Sequence, residues 1–286
     1  MPCPICDSST SHPLPVAEYV QCVTCGVVLR EPFRMWQAET QPVTPEDYAR
    51  SIRQKRPVNT ERVAWILRHT QQAPGSAVDI GTKDGSLLAV LQARGWQAIG
   101  YDPDARFHGY ADHGLGVTIR PELFSEATSA PASLDLVTAC HTLEHVPDPL
   151  ALLRTIRRAL RPNGWLYIEV PNLRYIQRRQ LIPGHLVLYS AQTLRQTVEA
   201  AGFTVRVVTE YAPGGLSSYD QLALLAQPGQ PVIHWRPEPI ARVSAWIAQR
   251  PFLHETPPAR FFPLRVVRSV RRRIRQGLRR RQYVGP

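Results

Sequence analysis

The run Val78-Asp79-Ile80-Gly81-Thr82-Lys83-Asp84-Gly85-Ser86-Leu87-Leu88, followed by Ile99-Gly100-Tyr101-Asp102, constrains the fold more than any other stretch of this 286-residue chain. Residues 77–80 form a short apolar run that Gly81 ends. Residues 86–94 place apolar side chains at helical spacing, and residues 97–101 read as the next strand. A strand, glycine turn, helix and strand in this order make a β-α-β unit. That unit forces parallel pairing and sets the first turn at the carboxyl edge of the sheet, where ligands bind. Gly81 allows a backbone path closed to other residues. Gly85 lets the next helix begin close to a ligand, with free N–H groups aimed at it. Asp102 follows Gly81 by 21 residues, the distance at which a carboxylate accepts both hydroxyls of a ribose. Lys83 and Ser86 occupy positions where a dinucleotide fingerprint needs Gly, so a pyrophosphate site is disfavoured. The plain alternative is a βα turn with incidental glycines and a surface acid.

The D-x-G-x-x-x-G run with its distal acid resembles motif I and the ribose acid of class I S-adenosylmethionine (SAM) methyltransferases. Residues 134–149, with Leu143-Glu144-His145-Val146-Pro147-Asp148-Pro149, resemble the family's fourth strand and the turn that follows it. Residues 160–172 resemble its fifth strand and the preceding Pro-Asn-Gly turn. His185, Ser190, Thr193-Leu194 and Ala201-Gly202-Phe203 resemble a segment of methyltransferases from glycan and small-molecule pathways. The resemblance spans residues 58–228. It implies a Rossmann-like, seven-stranded doubly wound α/β sheet, with SAM held by Asp79, Gly81, Lys83, Gly85, Asp102 and His141. The family usually carries Gly where Lys83 stands; a Lys fits the turn if its φ stays negative, with its stem near the methionine end of SAM.

Cys3-Pro4-Ile5-Cys6 and Cys22-Val23-Thr24-Cys25 are two C-x-x-C knuckles separated by 15 residues. Two such turns complete a tetrahedral set of four thiolates around Zn2+, with no open position, so a metal there is structural. Cys3, Cys6, Cys22 and Cys25 are the expected ligands. A pair of disulfides is the alternative, disfavoured in a reducing compartment. Cys140 is left over and reads as a small buried hydrophobe. A zinc module ahead of such a domain resembles sugar C-methyltransferases. Residues 1–30 hold a single Arg and no Lys, a poor phosphate surface.

The expected organisation is a zinc-ribbon module at 1–36, a linker at 37–57, the methyltransferase domain at 58–228 and a basic extension at 229–286. In the linker, Pro45 opens a short helix. Asn59 caps an amphipathic helix to His69. Strands are expected at 77–80, 97–101, 116–119, 134–139, 165–170, 204–210 and 220–226, and helices at 86–94, 149–160, 191–201 and 238–250. Net charge is +11, but ten of the 34 Lys and Arg residues lie within 260–281, with no acid among them. Residues 264–281 can form an Arg-rich amphipathic helix, suited to an anionic membrane surface, to docking on the domain, or to nucleic acid. No apolar run reaches membrane-spanning length and no signal sequence is evident. A cytoplasmic protein is expected, peripheral at the inner membrane face through residues 260–281.

His141-Thr142-Leu143-Glu144-His145 matches the H-x-x-E-H of some metallopeptidases, but Pro147 and Pro149 break the helix that chemistry needs. Methyl transfer to a hydroxyl or carbon calls for alignment and a base. His185 is the first candidate, then His145, then His141; each could equally be a hydrogen-bonded structural histidine. His141, Glu144, His145 and His185 could together hold a divalent ion, as in some small-RNA and quinone O-methyltransferases. The expected acceptor is a sugar, a glycan-lipid or another small metabolite. The alternatives are an RNA methyltransferase, or a catalytically silent SAM-binding scaffold.

Overall fold

Seven strands, six running one way and one reversed, build the central sheet. The structure is a computed structural model that describes residues 2–16, 18–32, 41–177, 180–210 and 220–248. Within these, β4 (Ser76–Ile80), β5 (Gln97–Tyr101), β6 (Thr118–Arg120), β7 (Leu134–Cys140), β8 (Leu160–Pro171), β10 (Phe203–Thr209) and β11 (Gln221–Pro228) lie in the order β10-β11-β8-β7-β4-β5-β6. All seven expected strands form, in a Rossmann-like α/β arrangement. β4 is central and pairs in parallel with β5 and β7, so the Gly81 turn leaves the sheet where neighbouring connections diverge. β11 runs antiparallel to both β8 and β10. The sheet is therefore parallel only over its first five strands.

The apolar runs explain the middle of the sheet. Leu166, Ile168, Val170, Leu222 and Leu224 are fully buried, and burial on both faces is what an unbroken apolar strand signals. Helices α2 (Ser86–Gln92), α3 (His108–Leu115), α4 (Pro149–Ala159) and α5 (Ala191–Ala200) cover the faces. α4 begins on Asp148, whose carboxylate accepts from Ala151 N, with Pro149 in the first turn; Leu153 and Ile156 turn inward. Ser190 and Thr193 form a capping box for α5.

Helix α1 departs from expectation. It is one helix, Pro45–Thr70, where the sequence suggested a linker to residue 57 and a fresh start at Asn59. Thr44 is the cap, and Pro57 lies inside the helix. Tertiary anchors on both sides of Pro57 outweigh its missing N–H. Before it, the Tyr48 hydroxyl donates to Asp84 O at 3.3 Å, and Lys55 pairs with the Asp84 carboxylate at 3.0 Å. After it, buried Asn59 donates to Ser86 Oγ at 2.8 Å. Arg62 places Nε and Nη2 on the two oxygens of Glu169 at 2.7 and 2.6 Å. Tyr167 adds a third hydrogen bond to Glu169 at 2.7 Å.

The cysteine segment folds as a three-stranded meander of β1 (Ser11–Pro13), β2 (Tyr19–Cys22) and β3 (Val28–Arg30). Its fourth strand comes from far along the chain. β9 (Val187–Leu188) pairs antiparallel with β3, giving the order β1-β2-β3-β9. Helix α6 (Ile240–Ala248) packs Val243 and Ile247 against Leu14, Tyr19 and Val28 of this sheet. Gln21 Nε2 donates to Glu238 O at 2.8 Å. Among the described residues no helix is long and apolar enough to cross a membrane. The Arg-rich segment 260–281, its expected helix at 264–281 and residues 249–250 of the helix expected at 238–250 lie outside the described residues.

Arg62 and Glu169 are both buried, so removing one partner strands the other. Burial opposes ionisation of Glu169, but the Arg62 guanidinium holds its carboxyl well below the usual range. A carboxylate depressed in the folded state stabilises above its ordinary value and loses that contribution as pH falls. Arg62→Met is expected to cost about 3–5 kcal/mol near neutral pH, read from the urea midpoint. The gap to the wild type should narrow as the pH drops below the ordinary carboxylate value.

Candidate active site

One side of the candidate site is built where β4 ends. Gly81 turns at φ +73°, and a Cβ there would strike the Thr142 hydroxyl, so this backbone must pass bare. Asp79 is buried beneath the turn and accepts from Thr138 Oγ1 at 2.6 Å. Burial pushes its carboxyl up to about 6. Gly85 also turns at φ +73°, and a Cβ there would lie 2.8 Å from Val117 Cγ2. Of the leading amides of helix α2, one is taken by the protein itself. Asp84 Oδ1 accepts from Ser86 N at 3.1 Å and from Ser86 Oγ at 2.6 Å, while the N-cap Gly85 supplies no side-chain cap.

Asp102 stands just past the tip of β5. Its Oδ2 accepts from Lys83 N and its Oδ1 from Asp104 N, each at 2.8 Å. Two backbone donors fix the carboxylate, and each oxygen keeps capacity for one more donor. Lys83 corrects the sequence reading: its φ is +52°, in the left-handed region, not negative. The Asp102–Lys83 N bond holds it there, against a cost of order 1 kcal/mol for a non-glycine residue.

The other side of the candidate site follows β7. His141 turns at φ +53°, its N–H on Glu169 O at 2.8 Å, and Thr142 Oγ1 donates to Ile80 O at 2.8 Å. Thr142 therefore touches both halves: it bonds the end of β4 and packs on Gly81. A 3-10 turn at Leu143–His145 then buries Glu144. His141 places Nδ1 3.5 Å from Glu144 and Nε2 3.4 Å from Glu169, while its side chain remains 39% exposed. Burial alone would lower its pKa, but the two carboxylates raise it to about 10.

His145 and His185 face the same glutamate. Their rings meet edge to face at 4.7 Å. His145 Nδ1 lies 2.7 Å from Gly184 O, and His185 Nδ1 lies 2.6 Å from Gln180 O. A carbonyl can only accept, so each Nδ1 carries a proton, and a neutral ring would offer the lone pair of its Nε2. Burial pushes the His185 pKa down, favouring the neutral ring. Glu144, His145 and His185 bring one ligand atom each within 4.8 Å of one another, as a cation site would require. His145 and His185 thus lie on one side of the site with His141; Asp79, Gly81, Lys83, Gly85 and Asp102 share the other.

The cysteines also converge. Sγ atoms of Cys3 and Cys25 lie 3.6 Å apart and those of Cys6 and Cys22 3.4 Å apart, with all four within 4.8 Å. These separations exceed an S–S bond of about 2.05 Å and suit the edges of a tetrahedron with arms of about 2.3 Å. Asp7 and Gly26, each just after the second Cys of its knuckle, are left-handed at φ 60° and 77°. The cluster sits behind the histidine side: Arg30 N donates to Leu186 O at 2.9 Å, and the Tyr19 hydroxyl reaches His185 O at 3.4 Å. Cys140 is half-buried at the end of β7.

Sequence reasoning missed Arg62, Glu169, Thr138 and Thr142. Glu169 carried a usable signal: an acid inside the apolar run Leu166–Val170 needs a buried cation, and Arg62 supplies it.

A protein-family model for a methyltransferase domain matches residues 50–208. The ubiquinone biosynthesis O-methyltransferase of Paraburkholderia phytofirmans is 35% identical over 121 residues, covering 40% of this chain and 52% of that protein. Its Stutzerimonas stutzeri counterpart is 33% identical over 123 residues, with the same coverage. The chain spans about half the length of the curated relatives it matches. A SAM-dependent methyltransferase from Aquifex aeolicus superposes with a TM-score of 0.51 at 17% identity, covering 65% of this chain and 99% of that one. A chain from the complex of the Haloferax volcanii Trm112 methyltransferase activator with a methyltransferase superposes at 0.53 and 16% identity, covering 66% and 97%. Matched over more than half its length, the chain belongs to the methyltransferase-domain family.

Proposed function

We propose that this protein transfers a methyl group from SAM to a hydroxyl oxygen of a small metabolite. The observation that carries the reading is the Asp102 carboxylate, fixed by two backbone amides beside the bare Gly81 turn. Its remaining acceptor capacity suits two ribose hydroxyls. SAM, when bound, supplies a methyl on a sulfonium that departs as a neutral thioether. Asp102 orients the ribose, Gly81 leaves room for close approach, and buried Asp79 supports the turn. The O-methyltransferase names of the relatives support an oxygen acceptor. A sugar or glycan acceptor rests on the resemblance of the cysteine module to that of sugar C-methyltransferases and of the segment from His185 to Phe203 to methyltransferases of glycan and small-molecule pathways.

His185 is assigned as the base. Its Nδ1–H is committed to Gln180 O, so Nε2 accepts the hydroxyl proton as oxygen attacks the methyl carbon and the carbon–sulfur bond breaks. Glu144 steadies the imidazolium that results. His145 orients the ring from its edge, and His141, already flanked by two carboxylates, is a poor acceptor of a further proton. A divalent ion on Glu144, His145 and His185 is the second reading, favoured by their convergence; turnover that rises with added Mg2+ or Mn2+ would select it.

We further propose that Cys3, Cys6, Cys22 and Cys25 hold a structural Zn2+. Its role is to keep β3 in place against β9 and so to shape the acceptor wall. Residues 1–36 and 58–228 then work as one unit across that strand pair, although residues 45–57 are helical, not a linker.

Calorimetry with S-adenosylhomocysteine is expected to show affinity at least tenfold weaker in Asp102→Ala, with the circular dichroism spectrum retained; equal affinity would remove the ribose assignment. His185→Gln is expected to lower kcat by about 10²–10⁴-fold with donor affinity unchanged. Stripping Zn2+ with a strong chelator should release one equivalent of metal and increase proteolysis in the first 32 residues. Donor affinity should fall far less than acceptor turnover.

A further inference from the structure

Lys83 imposes a cost that the fold does not recover. Its left-handed backbone would be free for Gly and is strained for a long side chain. Its N–H serves Asp102, but any residue other than Pro supplies that donor. Its ammonium lies 5.5 Å from the centre of the Phe107 ring and makes no ion pair among the described residues. Three charged pairs stand nearby, while the Asp102 carboxylate is held by backbone amides and Asp104 feels the Lys83 charge through space. Lys55 pairs with Asp84 at 3.0 Å, Arg106 with Asp104 at 2.5 Å, and Asp47 with Arg50 at 3.0 Å. The side chain lines a cavity of about 300 Å3 together with Ser51, Lys55, Arg106 and Phe107. A strained residue that brings a cation outside any ion pair into a cavity beside the Gly81 turn points to a ligand anion.

We propose that the Lys83 ammonium binds the α-carboxylate of the donor's amino-acid arm and so selects the intact sulfonium amino acid over adenosine thioethers that lack it. This rests on the reading that the Gly81–Asp102 turn holds SAM. The donor carries one anionic group, the carboxylate, and SAM and its demethylated product share it. The Lys83 backbone lies 2.8 Å from Asp102, so a donor whose ribose rests on Asp102 begins its arm within reach of this side chain. The ammonium's stacking on Phe107 leaves it free to swing to an anion without breaking an existing ion pair. An acceptor phosphate or carboxylate is the other source of such an anion.

The test is calorimetry on the full chain with two ligands, S-adenosylhomocysteine and 5′-methylthioadenosine, which shares the adenosine and thioether but lacks the amino-acid arm. Lys83→Met should weaken S-adenosylhomocysteine about tenfold and leave methylthioadenosine within twofold; Lys83→Arg should keep most of the affinity. Lys83→Gly should raise the thermal midpoint by relieving the backbone and still lose affinity for S-adenosylhomocysteine, a split that a purely structural lysine would not produce. Unchanged S-adenosylhomocysteine binding in Lys83→Met, or an equal loss for both ligands, overturns the proposal. Inorganic phosphate that binds the wild type but not Lys83→Met, with both nucleosides unaffected, overturns it in favour of an acceptor anion. If the wild type binds neither nucleoside, the donor-turn reading fails and this inference falls with it.

Discussion

The buried pair of Arg62 and Glu169 is the contact on which the two halves of the site depend. It fastens α1 to β8, and polar contacts run outward from it in both directions. One path passes through Asn59 and Ser86 to Asp84, beneath the Gly81 turn. The other crosses His141 to Glu144 and the remaining histidines. Burying two ions costs most of what their attraction returns, so the pair is better understood as a device for registration than as a source of stability. Its geometry fixes where a helix from the start of the domain meets a strand from its centre.

The histidine side of the candidate site depends equally on a second registration. Leu186 gives its carbonyl to Arg30 and its N–H to Glu144 O at 2.8 Å. One residue thus links the cysteine sheet to the turn that bears the buried glutamate. His185 precedes it, with its own carbonyl under the Tyr19 hydroxyl. A cluster of four sulfurs remote from the chemistry can therefore set the position of an imidazole through one short strand pair.

Much of this was readable from residue order. The strands announced themselves because both faces are covered and the apolar runs are unbroken. The Gly81, Gly85 and Asp102 spacing marked the donor turn because few residues tolerate those backbone angles. What escaped was set by distance along the chain. Helix α1 runs through Pro57 because Tyr48, Lys55, Asn59 and Arg62 are held by partners far away in sequence, and no local rule reports that. Helix α3, which contains Gly109 and Gly114, has weak propensity and is sustained by its packing on β6 and α2. β9 is two residues long and exists only because β3 pairs with it. The sign of φ at Lys83 follows from the hydrogen bond between its amide and Asp102, which steric preference alone does not report.

The shared strand has a consequence for modularity. The cysteine meander is not an appendage that recombination could move freely from one enzyme to another. Its last strand would arrive with an open edge, and the recipient would need a matching two-residue strand just after the histidine in the place of His185. A graft of the module would therefore need a matching change around residues 185–189, because the β3–β9 pairing joins two regions far apart in the chain.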